Sequence, residues 1–262
     1  MRFDFVTQPA TFLARPNRYR VDARLHAGGA QIAAHCADPG RLRELLIPGV
    51  TIHVSPAAPR LPGPRALPPR KTAWDLRFVE HPAHGQLVSL DTRVPNRIFA
   101  EGIAAGFFPP WRGGTLLGRE VSLRGIAPHA GQGGAGGIVS RIDFRIADEQ
   151  GMPWWVEVKS ASLVEEGAEG GIARFPDAVT ARGRRHVEEL AALARAGERA
   201  AVVFIVQRPD ATELRPQWRT DPAFAAALAA AQQAGVLLLA ATCRLTTQEI
   251  CLERIIPVVA AP

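Results

Sequence analysis

Asp143, Glu157 and Lys159 are the residues of this 262-residue chain whose types and spacing could do chemistry. They sit in the stretch SRIDFRIADEQGMPWWVEVKS, which reads as two strands, about 138–147 and 153–160, joined by DEQGMP. With Asp148–Pro153 as the connection, Asp143 faces Glu157, Arg141 faces Lys159 and Arg145 faces Trp155. Alternation then sends Ile142, Phe144, Ile146, Val156 and Val158 to the other side, toward a core. A slip of one residue would bury Asp143 and Lys159 instead, so the pattern determines the register.

Two carboxylates opposite each other on one face repel. A divalent cation offsets that repulsion, and Mg²⁺ (or Mn²⁺) is commonly held by one or two carboxylates completed by water and phosphate oxygens. Lys159 projects to the same face, where it can orient or deprotonate a water or neutralise charge developing on a phosphoryl group. These are the parts of metal-assisted phosphodiester hydrolysis. The plainer reading is a surface cluster, with Asp143–Arg141 and Glu157–Lys159 as ordinary ion pairs worth at most about 1 kcal/mol. The residues alone leave both open.

Downstream, FPDAVTARGRRHVEELAALARAG reads as a helix starting near Pro176 or Asp177, proline suiting a first turn, and running toward Gly197. With Val179, His186, Leu190 and Leu193 as a stripe, Arg182, Arg185 and His186 come together at i, i+3 and i+4 spacing. A basic first half beside an acidic metal site suits a phosphate backbone, and Arg141 adds to it. A solvated helix face with Arg185–Glu189 pairing is the alternative.

The surrounding elements divide in two. Residues 2–6, 18–26, 31–36, 50–55, 74–79 and 86–91 have strand character, with a hairpin loop at HAGGAQ and an irregular Pro/Arg-rich stretch at 55–71. Several short strands in so small a span predict a small β-barrel such as an OB-fold. From residue 95 the texture changes. Asn96 is placed to cap a helix reaching about Gly106, followed by strands at 119–124 and in the hairpin, a polar loop at 165–174, the helix above, a strand at 200–206, an Ala-rich helix at 221–235 and two last strands. This order predicts an α/β (α+β) domain, and the division is set at 1–85 and 86–262. GQGGAGG at 131–137 formally contains G-x-G-x-x-G, but it precedes a strand rather than opening a helix and reads as a loop.

Charge follows the same division. Residues 1–85 hold 12 Arg/Lys against 6 Asp/Glu and the remainder 19 of each, so the net +6 belongs to the first part. That suggests a polyanion-binding module, with Arg18, Tyr19, Arg20, Arg41, Arg70 and Lys71 as nucleic-acid contacts and Tyr19, the single tyrosine, placed to stack on a base. Among 31 basic residues only Lys71 and Lys159 are lysines, a hint that a compact ammonium is needed there. No apolar run approaches the roughly 18 residues of a membrane span, and the start lacks a signal pattern, so a cytoplasmic protein with no membrane partner is expected. The three cysteines fit neither a disulfide framework nor a zinc site and read as thiols. Oligomeric state is open, a homodimer included.

The stretches HCADPG, RKTAW, DTRVPNRIFAEGI, SRIDF, VEVKS, FPDAVTARGRRHVEEL and VQRPDA, in that order over nearly the whole chain, resemble the sugar fermentation stimulation (SfsA) family. The resemblance implies a DNA-binding protein linked to regulation of sugar (maltose) metabolism. It implies an N-terminal OB-fold followed by a PD-(D/E)xK nuclease-like mixed sheet flanked by helices. In that superfamily a helix glutamate, a strand aspartate and E-x-K form the metal site, roles that fall by position on Glu101, Asp143, Glu157 and Lys159, with Glu120 competing for the first. The chain departs from the family where Ala37-Asp38 replaces Pro-Asn, in a shortened segment at 70–74, and in the Gly-rich insertion before SRIDF.

Three functions compete: a Mg²⁺-dependent nuclease-type DNA-binding protein; a DNA-binding regulator keeping the nuclease core as scaffold; and a metal-dependent hydrolase of a small phosphorylated molecule. The basic first domain and the lack of a Gly-rich phosphate cradle at a helix start argue against the third. DNA is the expected partner, with RNA left open.

Overall fold

The computed structural model describes residues 1–58, 70–123, 140–167 and 170–261. The Gly-rich 131–137 and most of 55–71 lie outside these residues. Two compact units divide the chain: Arg2–Arg93 with Leu245–Ile250 returning to it, and Val94–Arg244 with Met1 and the residues from Cys251 onward. The break falls at Arg93/Val94 rather than after residue 85, because a short strand at Leu87–Ser89 still pairs with the first sheet.

In the first unit, β1 (Gln8–Asn17), β2 (Arg20–Leu25), β3 (Gln31–His35), β4 (Thr51–Pro56), β5 (Trp74–Glu80) and β6 (Leu87–Ser89) form one sheet in the order β3-β2-β1-β4-β5-β6. A β3–β5 pairing, Ala34↔Trp74 and His35↔Asp75, closes five of these strands into a barrel, as expected. β1 carries register shifts after Phe12 and Ala14, which let one long strand bend to pair with both β2 and β4. The interior is apolar, with Phe12, Val21, Ala34, Leu45, Ile52, Val54 and Leu76 buried together. Residues 2–6, expected as a strand, supply only a bridge at Arg2, and β1 takes that place.

In the second unit, α1 (Val94–Ala104) is followed by β7 (Thr115–Ser122), β8 (Arg141–Ala147), β9 (Pro153–Ala161), β10 (Leu163–Gly167), β11 (Gly170–Phe175), α2 (Ala181–Arg195), β12 (Arg199–Val206), β13 (Ala211–Pro216), α3 (Pro222–Gln233), β14 (Leu237–Leu245) and β15 (Ile250–Ile256). The main sheet runs β15-β14-β12-β9-β8-β7; β9, β12 and β14 are parallel neighbours, and β7, β8 and β9 form an antiparallel edge. β12 is buried along nearly its whole length, as a central parallel strand must be. Val202, Phe204 and Val206 share a core with Val187 and Leu190 of α2 and Phe224 and Leu228 of α3. Phe144 of β8 packs instead on Phe99 of α1, with ring centres 5.0 Å apart. No helix among the described residues is long and apolar enough to cross a membrane.

Three expectations are corrected. The polar stretch at 165–174 is not a loop but most of the β10–β11 hairpin, which joins β13 in a second sheet. The segment read as a helix from Pro176 starts only at Ala181, leaving Val179 exposed. Asn96 lies inside α1 rather than at its cap. The late start of α2 has a local cause. Thr180 caps it by accepting from Gly183 N, while Asp221 accepts from Thr180 N at 2.8 Å and from Phe224 N at 2.9 Å. One buried carboxylate thus fixes the starts of both α2 and α3. Asp221→Ala is expected to lower stability by about 2–3 kcal/mol, against about 1 kcal/mol for Thr180→Ala, in urea unfolding. An Asp221→Ala midpoint equal to wild type would refute the double cap.

Candidate metal centre

The β8–β9 ladder has the expected register from Ala147↔Pro153 to Phe144↔Val156 and then opens. The next residues on the two strands are Asp143 and Glu157, and their side chains replace the ladder bonds. Val158 N donates to Asp143 Oδ2 at 2.8 Å, and Asp143 N reaches Glu157 Oε2 at 3.4 Å. The expected facing of Arg141 and Lys159 is not formed as a ladder pair, because the strands have parted by then. Arg141 is exposed.

Each flanking element adds a donor. Asn96 of α1 donates Nδ2–H to Asp143 Oδ1 at 3.1 Å. Lys159, two residues along β9, donates from Nζ to Glu157 Oε1 at 2.6 Å. His186 of α2 meets the same oxygen through Nδ1 at 2.5 Å. Glu157 and His186 are each only 3% exposed. The Glu157–Lys159 pair is therefore buried within the fold and is not the solvated surface pair of the plainer reading.

Burial pushes both carboxyls up, but the two respond differently. For Glu157 the opposing Lys159 and His186 win and hold it below its usual range, so it is ionised. For Asp143, burial and the neighbouring Glu157 charge outweigh the Val158 bond, Lys159 and Asn96, and the group rises to about 6. Asp143 is where the negative charge of the site is least compensated. Two hard oxygen donors with excess negative charge fit a Mg²⁺-class ion, which completes its shell with water and phosphate. Among the described residues no group of three or more His, Cys, Asp or Glu converges to hold a metal.

The remaining candidates distribute unevenly. Glu101 is not at this centre: it is exposed and its Oε2 pairs with the Met1 amino group at 3.2 Å. The α1 residue that does reach Asp143 is Asn96, five positions earlier and on a different side of the helix. Glu120 stands where the β7–β8 register, Arg119↔Phe144 and Val121↔Ile142, brackets Asp143; it is exposed, with its backbone in the left-handed region at φ 51°. His186 is corrected from a nucleic-acid contact to a buried partner of Glu157. The signal was present, since Gly183, His186, Val187 and Leu190 make one buried stripe. Arg182 is exposed, and Arg185 reaches Ser140 Oγ at 3.2 Å, the hydroxyl that donates to Glu189.

In the first unit Arg18, Arg41 and Lys71 are exposed. Tyr19 is 51% exposed and stacked near-parallel on His35, with centres 6.4 Å apart. Arg20 is paired with Asp22 at 2.8 Å, and Arg70 is tied to buried Asp75.

Comparison with known proteins follows this layout. The family described as the sugar fermentation stimulation protein RE domain matches residues 93–249, and the SfsA N-terminal OB domain matches 13–90. A sugar fermentation stimulation protein homolog from Moorella thermoacetica is 43% identical over 90% of this chain and 89% of its own. One from Roseobacter denitrificans is 36% identical over 98% and 99%. The structure of Pyrococcus furiosus SfsA in complex with Ca²⁺ superposes with a TM-score of 0.78 at 31% identity, covering 99% of this chain and 98% of that one.

The raised Asp143 has a consequence for stability. Its folded-state pKa, about 6, lies above the unfolded value. Between pH of about 4 and 6 the folded chain therefore holds a proton that the unfolded chain has released, and stability falls as pH rises through that window. Asp143→Asn carries no such proton. In urea unfolding with EDTA the wild type is expected to lose stability relative to Asp143→Asn from pH of about 4 to 6, by roughly 2–3 kcal/mol, and to run parallel above it. A constant offset across the window would contradict the shift.

Proposed function

The chain belongs to the sugar fermentation stimulation (SfsA) family, and from that premise we propose that it is a DNA-binding protein with a Mg²⁺-dependent, nuclease-type site at Asp143, Glu157 and Lys159. The observation that carries the reading is the opened ladder: a half-buried carboxylate, Asp143, raised to about 6, and a buried one, Glu157, fill the gap between β8 and β9, with an ammonium beside them. The Pyrococcus furiosus relative takes a hard divalent cation, Ca²⁺, and the same class of ion suits this donor set. Asp143 and Glu157 Oε2 would hold it; Glu120 lies on the neighbouring strand β7 at the register position that brackets Asp143. When bound, such an ion supplies charge neutralisation at a phosphodiester and acidifies a water.

The protein's own groups divide the remaining work. Lys159, held by Glu157, presents a fixed positive charge to a phosphoryl oxygen. Arg141 and Arg182 are exposed and Arg185 partly so, available to grip the flanking phosphates. Arg18, Arg41, Lys71 and the Tyr19 ring in the OB domain add a sequence-tolerant grip on the strand. A second reading, a DNA-binding regulator of sugar metabolism on a nuclease scaffold, is favoured by the convergence of only two carboxylates among the described residues.

Single-stranded, duplex and branched DNA and RNA are to be incubated with wild type, Asp143→Ala and Lys159→Ala in Mg²⁺, Mn²⁺ or EDTA. The nuclease reading expects metal-dependent products from wild type alone, with cleavage falling by at least about 100-fold in both variants and salt-dependent DNA binding retained. Products formed equally by Lys159→Ala would defeat it. Binding without any product would favour the regulator.

A further inference from the structure

We infer that His186 is a positioning residue for the metal centre: by donating from Nδ1 to Glu157 Oε1 it fixes that carboxylate so that Oε2 is the oxygen presented toward Asp143. The inference rests on the metal-binding reading of Asp143 and Glu157.

The argument starts in α2. The Thr180 cap and the stripe Gly183, His186, Val187, Leu190 turn His186 inward, where it is 3% exposed. An imidazole taken out of water there needs a hydrogen-bond partner, and it finds Glu157 Oε1 at 2.5 Å. Lys159 Nζ approaches the same oxygen at 2.6 Å. An ammonium can only donate, so Oε1 is an acceptor, and the ring nitrogen facing an ionised carboxylate must carry its hydrogen. Oε1 then has two strong donors. Among the described residues the other oxygen receives the long 3.4 Å approach from Asp143 N and lies on the Asp143 side. Lys159 alone would leave the carboxylate free to swing about a flexible four-carbon stem on the same strand. His186 comes from a different element, through a rigid ring, so two donors from two directions set the carboxylate plane. Groups that orient a metal-binding carboxylate in this way commonly change metal affinity by about 10–100-fold when removed.

The test uses the full-length protein and Mn²⁺ as the probe, with affinity read by isothermal titration and, separately, unfolding midpoints in EDTA. In His186→Asn the amide can place a donor where Nδ1 stood; in His186→Gln the donor reaches further, to the place of Nε2; Asp143→Asn reports on the centre itself. The expected result is Mn²⁺ affinity about 10–100-fold weaker in His186→Gln and within a few-fold of wild type in His186→Asn, even where the two unfold at similar urea concentrations in EDTA. Equal affinity in wild type and His186→Gln, while Asp143→Asn loses Mn²⁺, overturns the role of His186 and leaves the metal centre standing. Affinities that track the EDTA midpoints rather than donor placement also overturn it, assigning His186 to packing. A wild type that takes up no Mn²⁺ overturns the metal reading and this inference together.

Discussion

A buried carboxylate, Glu157, and a half-buried one, Asp143, held side by side govern the second unit. Taking them out of water is costly, and each raises the cost of the other. The structure offsets this with donors drawn from everything around them: the Val158 amide from β9, Asn96 from α1, Lys159 from β9 and His186 from α2. No single element could supply all four. The parting of β8 from β9 beyond Phe144 and Val156 is part of the same arrangement, because a continued ladder would use the Val158 amide for backbone pairing and deny it to Asp143. Such an arrangement makes a poor source of stability, since apolar side chains would fill the space at lower cost. The divalent cation proposed for this centre would supply a charge that matches it.

The sequence carried much of this in one dimension. Alternating Ile142, Phe144 and Ile146 against Val156 and Val158 fixed the hairpin register, and with it the neighbours of Asp143. What it could not carry was the phase of α1. Asn96 and Glu101 are both polar and both on the helix, and only packing of Phe99 against Phe144 and Phe108 decides which side meets the strand. His186 was legible as inward-facing from its stripe, but its Arg neighbours drew the reading outward. The β10–β11 hairpin was hidden because its glycines at 167, 170 and 171 and its acidic pair Glu165-Glu166 have loop composition; besides pairing with each other, the strands are extended into a sheet by β13, far along the chain, against β11. Gly170 sits at φ 125°, a conformation that suits glycine at the turn.

Charge counting was legible but overstated what is free. In the first unit Arg77 is buried, giving hydrogen bonds to Ser55, Asp75 and Asp91 and lying over the Phe5 ring. Arg15 donates to the carbonyls of Arg18, Asp38, Gly40 and Arg41, holding the loop that departs from the family's residues at Ala37-Asp38. These guanidiniums hold the barrel together through several directed bonds each, which is what their fork of donors does best. Fewer cations of the first unit are free of such bonds than the net charge suggests; Arg18, Arg24, Arg41, Arg43 and Lys71 are among the exposed ones.

The same reasoning explains why a lysine stands at 159 in a chain that otherwise prefers arginine. Glu157 Oε1 already receives His186, so a second donor must approach as a point, from one direction. Against a carboxylate a guanidinium frequently pairs two parallel N–H groups with both oxygens in one plane. Here that would engage both oxygens of Glu157 and turn Oε2 away from Asp143, while a bulkier head would have to be accommodated where the lysine side chain is only 11% exposed. An ammonium occupies one lone pair of one oxygen and leaves the other oxygen directed at the gap between the strands. The scarcity of lysine, the shared oxygen and the orientation of the carboxylate are thus one constraint seen at three levels: composition, hydrogen bonding and the geometry of the centre.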